Sequence, residues 1–178
     1  MSHIIYQTEG IILRKSNFGE ADRILTIFTE KFGKISAVAQ GVRYLKSKLR
    51  YNLETMSRSR IGLVASKKTD WRIIDAEEID NYRKIIESPE NLAVFSRIFK
   101  LFDRMIQGEE KNIFLWNKIK NIAENLSQNK MAKKELDEFE TRSIFEVLKN
   151  LGYIDIGEYK NRREAITVIN KAIKESML

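Results

Sequence analysis

Hydrophobic and polar residues alternate through much of the first half of the chain and recur at helical spacing through the second. From Lys34 to Gln40, Ile35, Ala37 and Ala39 fall on one face and Ser36, Val38 and Gln40 on the other. That is the period of a half-buried strand, and Gly41 ends it. Ile4 to Lys15 reads as another strand, with Gly10 inside it as a bulge or point of close approach. Ser16-Asn17-Phe18-Gly19-Glu20 has turn chemistry. Ala21 to Thr29 carries the β-rich run Ile24-Leu25-Thr26-Ile27-Phe28, and Lys31-Phe32-Gly33-Lys34 connects it as a hairpin to the Lys34 strand. Arg58 to Ala65 and Trp71 to Ala76 are two more strands, joined by the turn Ser66-Lys67-Lys68-Thr69-Asp70. Five short strands separated by turns predict a small barrel or sandwich.

Near Glu78 the period changes. Ser88-Pro89-Glu90 reads as a helix start, with Ser88 as N-cap and the one proline at the first helical position. Leu92, Phe95, Phe99, Phe102 and Ile106 form its apolar stripe, and Arg97, Lys100 and Arg104, at i, i+3 and i+7, share another face. Gly108 ends it. Leu115, Ile119, Ile122 and Leu126 mark a second helix. Leu136, Phe139, Val147, Leu148 and Leu151 mark a third, closed by Gly152. A last helix runs from Asn161 to the end and carries Ala165, Ile166, Ile169, Ala172 and Ile173. These stripes read as helical core rather than as a cofactor box. The chain is thus α+β, with a junction near residues 78 to 82 dividing a β domain (1–80) from a helical domain (81–178).

Charge sharpens this picture. Lys and Arg number 32 against 25 Asp and Glu, a net charge of +7 over 178 residues. The balance favours an anionic partner: nucleic acid first, an acidic protein tail or anionic membrane surface second. The excess is concentrated after the Lys34 strand, where Arg43, Lys46, Lys48 and Arg50 follow closely, with Tyr44 and Tyr51 among them and no acid until Glu54. Cations take phosphates and rings stack on bases, so this stretch suits a nucleic-acid strand. The plain alternative is a solvated loop whose tyrosines cover the domain edge.

Other chemistry is scarce. There is no cysteine, which excludes a disulfide scaffold, a thiolate zinc site and a cysteine nucleophile. His3 is the sole histidine, so no histidine triad or metal cluster can be built. Phosphate-cradling glycine motifs are absent. Glu20 and Asp22 flank Ala21 beside Arg23 and read as a loop salt-bridge cluster rather than a catalytic pair. A binding protein without enzymatic activity, cofactor or metal is expected. The N-terminus lacks a signal-peptide apolar core, and no apolar run approaches the roughly 20 residues needed to cross a bilayer. A cytoplasmic location without membrane attachment is expected.

Several stretches resemble one family. They are Glu9-Gly10-Ile11-Ile12-Leu13-Arg14, Gly19 to Leu25, Phe28 to Gly41 and Ser47-Lys48-Leu49-Arg50. In this order and spacing they resemble the N-terminal domain of RecO, the bacterial recombination mediator and DNA-repair protein. Phe139 to Tyr153, with Leu148-Lys149-Asn150-Leu151-Gly152-Tyr153, is similar to that family's helix before its zinc module. The resemblance implies an oligonucleotide-binding (OB) barrel of five strands followed by a helical domain. It also implies binding and annealing of single-stranded DNA, with duplex DNA as a further ligand, in a nucleoid-associated cytoplasmic protein. Implied partners are RecR, the acidic tail of single-strand-binding protein and, indirectly, RecA. Many members carry a four-cysteine zinc element after the position of Tyr153. Here Ile154 to Arg162 and a final helix stand instead, so a short form lacking the zinc module is expected.

The nucleic-acid residues expected on these grounds are Arg43, Tyr44, Lys46, Lys48, Arg50 and Tyr51, with Arg14 and Lys34 in the same groove. Arg97, Lys100 and Arg104, a basic rim beside the phenylalanines of their helix, suit an acidic tail ending in a hydrophobic residue. Two other readings remain open: an interaction scaffold for acidic partner tails, and an RNA-binding OB protein, since phosphate contacts and stacking serve RNA equally.

Overall fold

The computed structural model describes residues 4–66, 71–106 and 108–176. His3 and most of the Ser66–Asp70 turn lie outside the described residues. The alternating first half forms five strands: β1 (Tyr6–Phe18), β2 (Asp22–Thr29), β3 (Gly33–Ala39), β4 (Arg58–Ala65) and β5 (Trp71–Asp80). β1, β2 and β3 form an antiparallel meander, β4 returns to pair with β1, and β5 closes the barrel between β4 and a parallel pairing with β3. This is the five-stranded Greek-key closure of an OB fold.

Register explains what lies inside. Ile12, Leu25, Ile27, Ile35, Ala37, Ile61, Leu63 and Ile73 fill the interior, and alternation turns their neighbours outward. Closure requires bending, and the ladders slip between Ile12 and Arg14, between Arg58 and Ser59, and between Gly62 and Leu63. Gly10, expected as a bulge or close approach, is the latter. A Cβ there would lie 2.7 Å from Ile27 Cγ2 and 2.9 Å from Ile61 Cδ1, and the bulge sits three residues on. β1 also outruns its predicted end. Residues 16–18 pair with β2 up to Phe18 opposite Asp22, leaving a tight turn opened by Gly19 at φ +56°.

The helical half contains a short α1 (Arg83–Ile86) that no periodicity announced, then α2 (Pro89–Met105), α3 (Ile113–Gln128), α4 (Lys133–Asn150) and α5 (Arg162–Glu175). α2 starts as its sequence dictates: Pro89 opens the helix and the Ser88 hydroxyl accepts the Asn91 N–H. Gly152, at φ +79°, follows α4, and the Tyr153 N–H reaches back to the Leu148 carbonyl. Asn161 caps α5 by accepting the Glu164 N–H.

The chain divides into two compact units. One holds residues through Tyr82 together with Gln107–Ile113; the other holds Arg83–Ile106 and the chain from Phe114. The loop between α2 and α3 belongs to the barrel unit with a visible consequence: the Lys34 N–H donates to the Gly108 carbonyl at 3.2 Å, and a Cβ on Gly33 would lie 2.4 Å from the Glu110 carbonyl oxygen.

Candidate nucleic-acid interface

The basic stretch between β3 and β4 does two jobs with alternate residues. Val42, Leu49 and Leu53 turn into the barrel core and seal its end. The polar and aromatic residues between them stay out. Arg43, Lys46 and Lys48 are exposed, and so are Tyr44 and Tyr51, at 63% and 69%; Arg50 is half-buried, its guanidinium 5.7 Å from the centre of the Tyr51 ring. The tyrosines therefore do not cover the domain edge. Among the described residues no carboxylate pairs with Arg43, Lys46, Lys48 or Arg50.

Hydrogen bonds fix this stretch at both ends. At its start, Gly41 (φ +62°) donates its N–H to Asp22 Oδ1 at 2.7 Å, and the Arg43 N–H donates to the Ala21 carbonyl at 2.9 Å. The Arg43 guanidinium donates to the Gly19 carbonyl at 3.3 Å. At its end, Asn52 donates to the Ala76 carbonyl at 2.9 Å and accepts from the Ser59 hydroxyl through its own carbonyl. Met56 donates to the Ile12 carbonyl, and Glu54 pairs with Lys15 on β1. Asp22 is thus an acceptor for the loop, and Arg23 donates to Asn17, where a Glu20–Asp22–Arg23 salt-bridge cluster was expected.

The loop is thereby held against the β1–β2 turn, and this brings in Phe18, which is 49% exposed. Its place in apparent turn chemistry hid it in the sequence. Arg14 stands opposite Thr26, itself opposite Ser36, on an outward row across β1, β2 and β3. Beside it runs the row Ser16, Ile24, Val38 and Arg72. Arg72 donates to Gln40 at 3.3 Å. It is a cation missed from sequence, because only the β3–β5 pairing reveals its face. Lys34 lies elsewhere. It is the second residue of β3, about 17 Å of strand from Ala39, opposite the fully buried Phe28. The structure does not bring it to the loop.

In the helical unit, Arg97, Lys100 and Arg104 are exposed on α2, but Phe95, Phe99 and Phe102 are buried and offer no pocket there. The Arg97 guanidinium donates twice to Glu140, at 2.5 and 2.7 Å, which raises its pKa above the ordinary arginine value. Arg97 instead borders a cavity of about 930 Å³ shared with Val94, Leu126, Met131 and Leu136, with Lys84, Lys130 and Lys133, and with the carboxylates of Glu90 and Asp137. Lys100 and Arg104 do not line it. Among the described residues there is no group of three or more His, Cys, Asp or Glu side chains placed to hold a metal ion, and no helix is long and apolar enough to cross a membrane.

Residues 1–82 match the family described as recombination protein O, N terminal. Curated relatives agree. The chain is 31% identical over 101 residues to the DNA repair protein RecO of Heliobacterium modesticaldum, covering 57% of this chain and 37% of that protein. It is 42% identical over 78 residues to the DNA repair protein RecO of Bifidobacterium adolescentis, covering 44% and 31%. With that of Synechocystis it shares 38% over 96 residues, covering 54% and 35%. The matched stretch spans about a third of the length of these relatives. The similarity to RecO thus rests on residues 1–82, the barrel region, which match the N-terminal domain of that family.

Proposed function

We propose that this chain is a RecO-family DNA repair protein that holds single-stranded DNA on the outer face of its barrel and the Arg43–Tyr51 loop, and promotes annealing to a complementary strand. The observation that carries this reading is the division of labour in the loop. Val42, Leu49 and Leu53 close the barrel, while Arg43, Tyr44, Lys46, Lys48 and Tyr51 are held outside by a fixed backbone. Cations displayed in this way release counterions from phosphates, and the rings offer stacking surfaces that tolerate any base. Arg14 and Arg72 extend the cationic surface along β1–β3 and β5. The 1–80 barrel is the nucleic-acid-binding domain on this reading, and residues 81–178 serve partners. RecR and, through it, recombinase loading follow from the family.

Fluorescence anisotropy with labelled single-stranded DNA, duplex DNA and RNA across a salt series tests the reading. Single-stranded DNA should bind with a negative log–log salt slope. Equal or tighter binding of RNA would redirect the function to RNA.

A second reading concerns the helical unit. The cavity beside Arg97, with Lys84, Lys130 and Lys133 around an apolar floor, suits an acidic tail ending in a hydrophobic residue, such as that of single-strand-binding protein. Titration with such a peptide tests it.

A further inference from the structure

Leu45 stands out within the loop. Of its four aliphatic residues, Val42, Leu49 and Leu53 are buried or packed on the core, whereas Leu45 is 81% exposed. An exposed leucine is by itself ordinary. This one sits between Tyr44 and Lys46, in a run without an acid, on a backbone pinned at Gly41, Arg43 and Asn52. A side chain so placed meets whatever anion the cations draw in. Proteins that unstack nucleic acids do so with apolar wedges between bases, leucine among them, while adjacent cations hold the phosphates.

We propose that Leu45 is a wedge that inserts between two neighbouring bases of the bound DNA strand, with Tyr44 stacking on one of the bases it separates. The inference rests on the DNA reading above and adds what the loop does to the strand. The cations of Arg43, Lys46 and Lys48 supply affinity, and Leu45 supplies distortion. A strand with an opened base step presents its Watson–Crick edges unstacked, which suits pairing with a complement. Charge complementarity selects a nucleic acid as the occupant over an apolar protein segment, since burying Leu45 against protein would also bury the flanking cations without partners.

The test uses the full chain and a single-stranded oligonucleotide carrying 2-aminopurine, whose fluorescence is quenched by stacking on neighbouring bases, together with an end label read by anisotropy. Saturation with the wild type should raise the 2-aminopurine signal. Leu45→Ala should bind, as anisotropy reports, but lose the rise; Leu45→Met, still apolar and flexible enough to insert, should keep it. A rise undiminished in Leu45→Ala, or wild-type binding without any rise, overturns the wedge while leaving the DNA reading in place. Wild-type protein that gives no anisotropy change overturns both. A thermal melt of each variant matching the wild type confirms that the barrel is intact, as the exposure of Leu45 requires.

Discussion

Gly41 and Asp22 are joined by a 2.7 Å hydrogen bond from the glycine N–H to the carboxylate, and this bond ties the end of β3 to the start of β2. It sets the direction in which Arg43 and Tyr44 leave the barrel. A Cβ on Gly41 would lie 3.3 Å from the Tyr44 ring, and its φ of +62° is strained for any other residue. Asp22→Ala should therefore destabilise the barrel by about 1–3 kcal/mol, as expected for a lost charged acceptor. Asp22→Asn, which keeps an acceptor oxygen, should lose less. Chemical denaturation of the two variants checks the order.

Tyr44 and Tyr51 expose most of their surface. Replacing either with alanine should leave the melting temperature unchanged. The ring that stacks should cost about 1–3 kcal/mol of single-strand affinity when removed. A fall in melting temperature without loss of affinity would assign that ring to packing.

Gly33 has no room for a side chain. It sits at φ +65°, and an added Cβ would press on the Glu110 backbone, which cannot rotate away. Gly33→Ala should cost about 2 kcal/mol or more, combining left-handed strain with the clash. A thermal melt within a degree of wild type would contradict the close packing of residues 108–110 on the hairpin.

Glu140 holds Arg97 in a two-point ion pair. If Arg97 serves an acidic peptide at the neighbouring cavity, Glu140 competes with that peptide. Glu140→Gln should then strengthen binding of a short acidic peptide ending in phenylalanine, by up to roughly fivefold for a pair that is partly exposed through its arginine. Arg97→Glu should abolish it, and Arg104→Glu, which lies outside the cavity lining, should not. Isothermal titration calorimetry reads all three.

Strand periodicity alone placed the barrel interior, because Ile35, Ala37 and Ala39 share one face while Ser36, Val38 and Gln40 take the other. The capped start of α2 and the glycine after α4 were equally legible, since local hydrogen bonding decides both. What escaped depends on contacts distant in sequence. Arg72 joins the outer face only through the parallel β3–β5 pairing, and Lys34 leaves it because β3 carries it to the other end of the barrel. Of Arg97, Lys100 and Arg104 only Arg97 borders a cavity, and the phenylalanines of α2 do not line it, because α2 is apolar over a broad face and they are consumed by the core. The basic run was visible as charge, but its fixed geometry was not, because Val42, Leu49 and Leu53 look no different from loop aliphatics until the barrel forms around them.

The most direct test of the central claim is the salt dependence of single-strand binding by a variant in which Arg43, Lys46, Lys48 and Arg50 are all alanine. None of the four is paired with a carboxylate among the described residues, so the variant should fold like the wild type. Each lost phosphate contact should reduce the log–log slope by about 0.7, so four contacts would flatten it by about 2.8 and weaken binding at low salt. A folded variant with the wild-type affinity and slope would contradict the account and move the DNA contact off this loop.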